Sequence, residues 1–197
     1  MKKIVLASKN SDKVKEMRRI LSSLPTEILS LADFGNLPDA VEDGLTFEAN
    51  ALIKARFFCN QTGLACLADD SGLEVDVLGG LPGVHSARFA GYHADDATNN
   101  QKLLDELKRR GVDESAADYR CALAFVDTDG TELLTEGRID GKIKIVPQGN
   151  GGFGYDPYFY IDERRTMAQL STDDKNSISH RGKALKEMVI KLREKFS

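Results

Sequence analysis

The sequence has no tryptophan, only three cysteines in 197 residues, and no long apolar run. Cys59, Cys66 and Cys121 are widely spaced and form no CxxC pair, which argues against both a disulfide framework and a thiolate zinc site. Near the amino terminus only residues 4–7 are consecutively apolar, and this run is too short for a signal peptide or a spanning helix. We therefore expect a cytoplasmic protein without a membrane partner.

An excess of positive charge is also missing. The chain has 27 Lys and Arg against 31 Asp and Glu, a net charge of −4, so the protein as a whole does not attract a nucleic-acid backbone. Its 41% hydrophobic and 29% charged residues are typical of a globular protein that needs no disulfide or structural metal. This composition favours a small phosphorylated ligand over nucleic acid.

Apolar periodicity predicts alternating strands and helices in one domain over residues 1–197. The predicted strands are residues 3–7, 27–31 and 64–68, and the predicted helices start at Asn10 or Ser11, Thr46, Asp95 and Ser179. Between Tyr119 and Ile145, short β-prone runs separated by residues 127–130 and 140–141 predict hairpins. Together these patterns predict an α/β fold with a mixed sheet.

Two adjacent aspartates, Asp69 and Asp70, follow the third predicted strand and precede Ser71. They would then lie at a strand's carboxyl end, where open α/β sheets usually bind ligands. Carboxylates hold Mg²⁺ together with substrate phosphates and can activate water, and Glu42 in the preceding acidic loop is a second candidate ligand. The alternative is a pair of turn-forming aspartates and a solvated loop.

A polar segment joins the first predicted strand to the first predicted helix. Its residues are Ser8, Lys9, Asn10, Ser11, Asp12 and Lys13. Backbone N–H groups at a helix start bind phosphate well, and Lys13 adds a positive charge. An ordinary capped loop is the alternative.

Gly149, Gly151 and Gly154 literally satisfy GxGxxG. A dinucleotide-binding fold needs a helix to begin there, whereas residues 155–160 are aromatic and interrupted by proline, which favours extended structure. The loop instead offers Phe153 to a flat ligand, although a tight turn with core aromatics remains the alternative.

Lys175, His180 and Arg181 cluster before the last predicted helix. Their donors suit a phosphate group and a purine carbonyl. His85 and His93 have no such neighbours, so we expect them to be structural.

Five segments of the chain match a known family in order. They are residues 7–16, 68–73, 83–88, 152–157 and 179–182. They resemble the inosine triphosphate pyrophosphatase family, whose members are also called XTP/dITP diphosphatases. The resemblance implies an elongated mixed sheet with flanking helices, two lobes around a central nucleotide-binding cleft, and a homodimer. It also implies Mg²⁺-dependent conversion of ITP, dITP and XTP to the monophosphate and pyrophosphate.

The same resemblance implies roles for individual residues. Asp70 would be the proton acceptor and a magnesium ligand, Glu42 a second ligand and Ser71 a substrate contact, while residues 8–13 would hold the phosphates. The implied contacts to the base, sugar or remaining nucleotide are Phe153, Gly154, Tyr155, Asp156, Lys175, His180 and Arg181. Lys9 departs from the family pattern, which has a small or neutral residue there. Two alternative functions remain: hydrolysis of other modified nucleotides, and nucleotide sensing without turnover.

Overall fold

A computed structural model describes residues 2–197 of the chain. Its strands are β1 (Lys2–Leu6), β2 (Thr26–Ser30), β3 (Ala65–Val75), β4 (Glu114–Val126), β5 (Glu132–Lys144) and β6 (Phe159–Tyr160). Its α-helices are α1 (Ser11–Leu21), α2 (Phe47–Thr62), α3 (Asp96–Arg109), α4 (Thr172–Ile178) and α5 (His180–Phe196). Short 3₁₀ turns cover Leu31–Phe34, Asp76–Leu78, Gly83–Arg88 and Met167–Gln169. Within this part of the chain, no helix has the length and apolar character needed to cross a membrane.

The strands form one sheet in the order β2-β1-β3-β4-β5-β6. Strand β1 pairs in parallel with β2 and with β3, so that Val5 lies opposite both Leu29 and Cys66. Strand β5 pairs antiparallel with β6, with Ile143 opposite Phe159. The mixed sheet with its helices confirms the predicted α/β class.

The contacts divide the chain into two compact units. The first unit comprises the chain up to Asp70, Cys121–Gly137 and Arg181–Ser197. The second unit comprises Ser71–Arg120 and Arg138–His180. The boundaries fall inside β3, β4, β5 and α5, so neither unit is one uninterrupted stretch of sequence.

The core of the first unit is formed by the inner faces of α1 and α5 and by strand side chains. Its largely buried members include Ile4, Leu6, Met17, Leu21, Leu67, Leu123, Phe125, Leu185, Met188 and Leu192. Met17 and Leu21 are four residues apart, as are Met188 and Leu192, so each pair lies on one face of its helix. The predicted apolar stripes of these two helices are confirmed.

The helix starts follow the predicted capping chemistry. Asn10 precedes α1, and its side-chain oxygen accepts hydrogen bonds from the backbone N–H groups of Asp12 and Lys13 at 2.9 and 3.1 Å. Thr46 caps α2 in the same way, and α2 ends at Gly63 in the left-handed conformation, with φ of 66°. These contacts satisfy backbone groups that a helix end leaves without partners.

Asp69, Asp70 and Ser71 lie inside β3, so the prediction that the strand ends at residue 68 was wrong. The strand continues for seven residues beyond Ala68, to Val75. Aspartate is disfavoured in strands, and burying its charge is costly without partners. Tertiary neighbours supply those partners here.

Asp140 and Gly141 do not form the predicted hairpin turn, because β5 continues through both residues. A Cβ on Gly141 would come within 2.7 Å of the Phe159 ring. Gly141 therefore allows the close approach of β6. The turn predicted at residues 127–130 is confirmed, with Gly130 N–H donating to the Asp127 carbonyl at 3.1 Å.

The second unit has its own core beneath α3. Its buried members include Leu73, Val75, Leu103, Leu107, Tyr119, Ile143, Tyr155, Phe159 and Met167. Among the described residues no helix begins within residues 149–154, which agrees with rejecting the dinucleotide-binding interpretation. Helix α4, which carries Lys175, was not predicted.

Candidate functional site

Asp69 is the buried centre of an ion-pair cluster in the first unit. Its Oδ2 lies 2.9 Å from Lys13 Nζ and 3.3 Å from Arg181 Nε, and its side chain is 1% exposed. Burial alone would raise the pKa of Asp69, but Lys13, Arg181 and Lys54 outweigh burial and hold that pKa well below its usual range. Asp69 is therefore a fixed negative charge.

Asp70, the next residue in β3, has different partners. The side-chain amide of Asn50 donates to Asp70 Oδ2 at 3.0 Å. Burial raises the pKa of Asp70 above its ordinary value, although Lys54, Lys13 and the Asn50 hydrogen bond act in the opposite direction. A carboxylate with a raised pKa is a better proton acceptor than an exposed one.

Lys54 links the loop before α2 to β3. Its ammonium lies 2.8 Å from Glu42 Oε2 and donates to the Asp69 carbonyl oxygen at 2.9 Å. Burial would lower the pKa of Lys54, but the carboxylates of Asp69, Glu42 and Asp70 raise it. Lys54 is thus a fully charged ammonium beside the two candidate metal ligands.

The charges of this cluster suit a cation that arrives with phosphate. Its members are the carboxylates of Glu16, Glu42, Asp69 and Asp70 and the cations of Lys13, Lys54 and Arg181. Four negative against three positive charges leave one formal negative charge. Within residues 2–197 no group of three or more His, Cys, Asp or Glu is arranged as a metal site. Asp70 and Glu42 therefore fit Mg²⁺ only as a partial oxygen shell that substrate phosphates would complete.

A pocket of about 170 Å³ adjoins this cluster in the first unit. Its lining residues are Ala7, Ser8, Lys9, Leu31, Asp39, Ala40, Glu42, Lys54 and Phe58. Lys9 Nζ lies 2.6 Å from Asp39 Oδ1 and donates to the Leu37 carbonyl at 3.2 Å, so Lys9 ties the β1–α1 loop to the loop before α2. The structure therefore brings Ser8, Lys9 and Glu42 to one pocket.

The remaining residues of the predicted phosphate segment serve the start of α1. Asn10 uses its side chain to bind two backbone N–H groups, and Asp12 pairs with Lys15 at 3.1 Å. Ser11 is the first residue of the helix and is exposed. Lys13 pairs with Asp69, so this segment supplies the ion-pair cluster with a cation.

Asp156 organises the aromatic loop of the second unit. Its Oδ2 accepts from Lys175 Nζ at 2.7 Å and from the Phe153 backbone N–H at 3.0 Å, and its Oδ1 accepts from the Tyr119 hydroxyl at 3.3 Å. Lys175 Nζ also lies 4.3 Å from the centre of the half-buried Phe153 ring. Phe153 and Lys175 are therefore held together by one buried carboxylate.

Gly154 and Tyr155 continue this loop. Gly154 has a left-handed φ of 62°, its N–H donates to Asp96 at 2.6 Å, and its carbonyl accepts from Asn100 at 2.9 Å. The Tyr155 hydroxyl donates to the Ser86 carbonyl at 2.8 Å inside the core. Burial raises the pKa of Tyr155, so its hydroxyl stays protonated.

His180 and Ser71 complete the predicted residues of the second unit. The His180 ring stacks on Tyr119, with centroids 4.8 Å apart and planes inclined by 16°. Ser71 is half-buried in β3. His180 is buried, and its ring lies nearly parallel to the ring of Tyr119.

Sequence reasoning missed Asn50 and Lys54, which contact carboxylates of the ion-pair cluster. Both lie on α2 between apolar residues that face the interior, Phe47, Ala51, Ala55 and Phe58. Asn50 and Lys54 are four residues apart, so they share that inner face. Two polar residues inside a helix's apolar stripe are a signal that could have identified them.

Arg181 donates to Asp69 and, at 2.5 Å, to Glu16 Oε2, and its side chain is 3% exposed. The role of Arg181 in reading the base stays a prediction. Removal of the Arg181 side chain, however, has a clear structural consequence. Arg181→Ala leaves two buried carboxylates without this cation, and we expect the free energy of unfolding in urea titration to fall by about 3–5 kcal/mol. Arg193→Ala, an exposed change on the same helix, should stay within about 0.5 kcal/mol. Equal stabilities of the two variants would contradict this structural role.

Comparison with known proteins identifies the family of the chain. The sequence profile of the Ham1 family matches residues 4–191. The chain is 48% identical over 186 residues to a dITP/XTP pyrophosphatase of Geobacter sulfurreducens, covering 94% of both proteins. It is 49% identical to one of Desulfotalea psychrophila, covering 94% of this chain and 82% of the relative. The solved structure of a HAM1 protein from Coxiella burnetii superposes with a TM-score of 0.89 at 42% identity, covering 98% of this chain and 100% of that chain. The chain belongs to the Ham1 family.

Proposed function

We propose that this protein is a dITP/XTP pyrophosphatase, which converts ITP, dITP and XTP to the monophosphate and pyrophosphate and so removes non-standard purine nucleotides. The observation that carries the proposal is the buried carboxylate of Asp70, bonded to Asn50 and close to the Lys54 and Lys13 charges in the first unit. The names of its relatives support the same substrate class. A sensor without turnover would not need a proton acceptor of this kind.

In the proposed reaction Asp70 accepts a proton from a water molecule. The water oxygen attacks the α-phosphorus, the bond from that phosphorus to the bridging oxygen breaks, and pyrophosphate leaves. Lys54 and Lys13 lower the energy of the negative charge that develops on the phosphate oxygens. Asp69 holds Lys13 through an ion pair with its carboxylate and Lys54 through a hydrogen bond to its backbone carbonyl oxygen.

Asp70 and Glu42 are the residues that would hold Mg²⁺. When bound with the triphosphate, this ion would neutralise phosphate charge and favour departure of pyrophosphate. Ser8 and Lys9 line the neighbouring pocket and would hold phosphate oxygens. Ser71 is the further substrate contact in this proposal.

The second unit carries chemistry that suits the nucleoside part. The flat face of Phe153 can stack on a purine, and Lys175 and His180 supply hydrogen-bond donors. The backbone of Gly154 and the carboxylate of Asp156 hold this loop in a fixed conformation. The Phe153 ring and the donors of Lys175 and His180 therefore support a purine ligand.

The direct test is to incubate the purified protein with ITP and Mg²⁺ and to measure pyrophosphate and orthophosphate separately. We expect one pyrophosphate for each IMP formed. Release of orthophosphate would contradict cleavage at the α-phosphorus. Tight binding of ITP without either product would favour the sensor, and preference for a modified pyrimidine or methylated nucleotide would favour a related hydrolase.

We expect activity to disappear on treatment with EDTA and to return with added Mg²⁺. The reason is that the two candidate ligands are carboxylates, which prefer hard cations. The measurement is the pyrophosphate assay before and after dialysis against the chelator, with a melting curve to show that the fold survives. Full turnover in metal-free buffer would contradict the proposed role of Mg²⁺.

A homodimer and a cytoplasmic location are part of the same proposal. The family resemblance supports the dimer. The three cysteines are buried free thiols, and burial raises the pKa of Cys66 and of Cys121 to about 12. Unpaired thiols suit a reducing compartment.

A further inference from the structure

We infer that Asn50 is a positioning residue that joins the loop carrying Glu42 to the carboxylate of Asp70. This inference rests on the proposed function, because it assigns Asn50 a role in orienting the proton acceptor. Asn50 is 1% exposed and lies on α2, one turn before Lys54. Asn50 is not among the residues that line the pocket described above.

Both polar atoms of the Asn50 side chain are used. Its Oδ1 accepts from the Gly44 backbone N–H at 2.8 Å, and its Nδ2 donates to Asp70 Oδ2 at 3.0 Å. A backbone N–H can only donate, so the amide oxygen must face Gly44 and the amide nitrogen must face Asp70. The chemistry of the two partners therefore fixes the orientation of the amide.

Gly44 is fitted closely against this amide. A Cβ at position 44 would lie 2.7 Å from Asn50 Oδ1 and 2.8 Å from the Ala49 side chain. Gly44 does not have a positive φ, so its backbone conformation would accept alanine. A Gly44→Ala change would therefore push on the Asn50 amide without touching Asp70.

Lys54 repeats the link one helical turn later. It binds Glu42 on the same loop, at 2.8 Å, while Asn50 binds Gly44. Residues four apart on a helix lie on one face, so α2 holds this loop at two consecutive points. In this way Asn50 couples the loop of Glu42 to the rotamer of Asp70.

The experiment compares Asn50→Ala, Gly44→Ala and their double variant with Asn60→Ala, an exposed change on α2. A displacement of about 1 Å can cost 10²-fold in rate, so we expect kcat for ITP to fall roughly 10- to 100-fold in each single variant. The KM for ITP should change by less than about threefold, since binding contacts remain. In the double variant, Gly44→Ala should add less than about twofold, because both changes act through one amide.

A second measurement separates this inference from the proposed function. Hydrogen exchange of the Gly44 amide should be slow in the unmodified protein and in Asn60→Ala, and much faster in Asn50→Ala. If hydrogen exchange of the Gly44 amide is unchanged in Asn50→Ala, the link between Asn50 and Gly44 is overturned, whether or not ITP is hydrolysed. If the unmodified protein releases no pyrophosphate, the proposed function and the positioning role are overturned together. A folded Asn50→Ala protein with kcat within about twofold of the unmodified enzyme overturns the positioning role. If Asn50→Ala does not fold, the same twofold criterion applied to Gly44→Ala decides.

Discussion

Asp70→Asn should lower kcat for ITP by roughly 10² to 10⁴, the contribution of a positioned general base. Asparagine has the shape of aspartate but cannot accept the proton at neutral pH. Because Asp70 is hydrogen-bonded to Asn50, the neutral variant can keep a partner, so the melting temperature should change little. The measurement is steady-state pyrophosphate release, with a thermal melt of the same sample.

Two further aspartates serve as comparisons for this result. Asp105→Asn changes an exposed carboxylate on α3 and should leave kcat as it is. Asp69→Asn removes the charge that holds Lys13 and Arg181, so we expect it to reduce stability as well as activity. Near-normal turnover by a folded Asp70→Asn protein would remove Asp70 from the mechanism.

ITP, dITP and XTP should exceed ATP in kcat/KM by roughly 30-fold to about 10⁴-fold. The 6-carbonyl of hypoxanthine and xanthine accepts hydrogen bonds, whereas adenine has an amino group there. Each buried hydrogen-bond donor left without a partner by ATP costs about 1 to 3 kcal/mol. Because about 1.4 kcal/mol corresponds to a factor of ten, two such donors give the stated range of kcat/KM ratios. Competition assays with the four nucleotides measure it.

His180→Phe tests which side chain contributes to this selectivity. Phenylalanine can keep the stacking on Tyr119 but has no N–H donor. We expect the ITP to ATP ratio to shrink by about 5- to 150-fold, the equivalent of one lost donor. The exposed His93→Phe variant should keep the ratio. Equal kcat/KM for ATP and ITP in the unmodified protein would refute base readout even if pyrophosphate is the product.

Local patterns predicted much of the secondary structure because they depend on neighbours in sequence. Asn10 and Thr46 have side chains that can bind the next backbone N–H groups, and Gly63 can adopt a positive φ at little cost. The apolar spacing of α5 is likewise visible in the sequence. For these elements the physical cause lies within a few residues.

The same local reasoning failed where distant residues stabilise a residue type that is unfavourable inside a strand. Asp69 was predicted to follow the third strand, and Gly141 was predicted to lie in a hairpin turn. Asp69 is stabilised there by Lys13 and Arg181, and Gly141 is required by the nearness of Phe159. No pattern of neighbouring residues contains these contacts.

The candidate site shows the same division. The residue types at Asp70, Glu42, Phe153 and Lys175, and their match to a known family, were sufficient to propose nucleotide chemistry from the sequence alone. Only the tertiary structure decided that Asp69 is a fixed charge and Asp70 the carboxylate with a raised pKa. Adjacent strand residues project to opposite sides of the sheet, so these two chemically identical side chains enter different electrostatic environments. Those environments are set by charges from α1, α2 and α5, which are distant in sequence from β3.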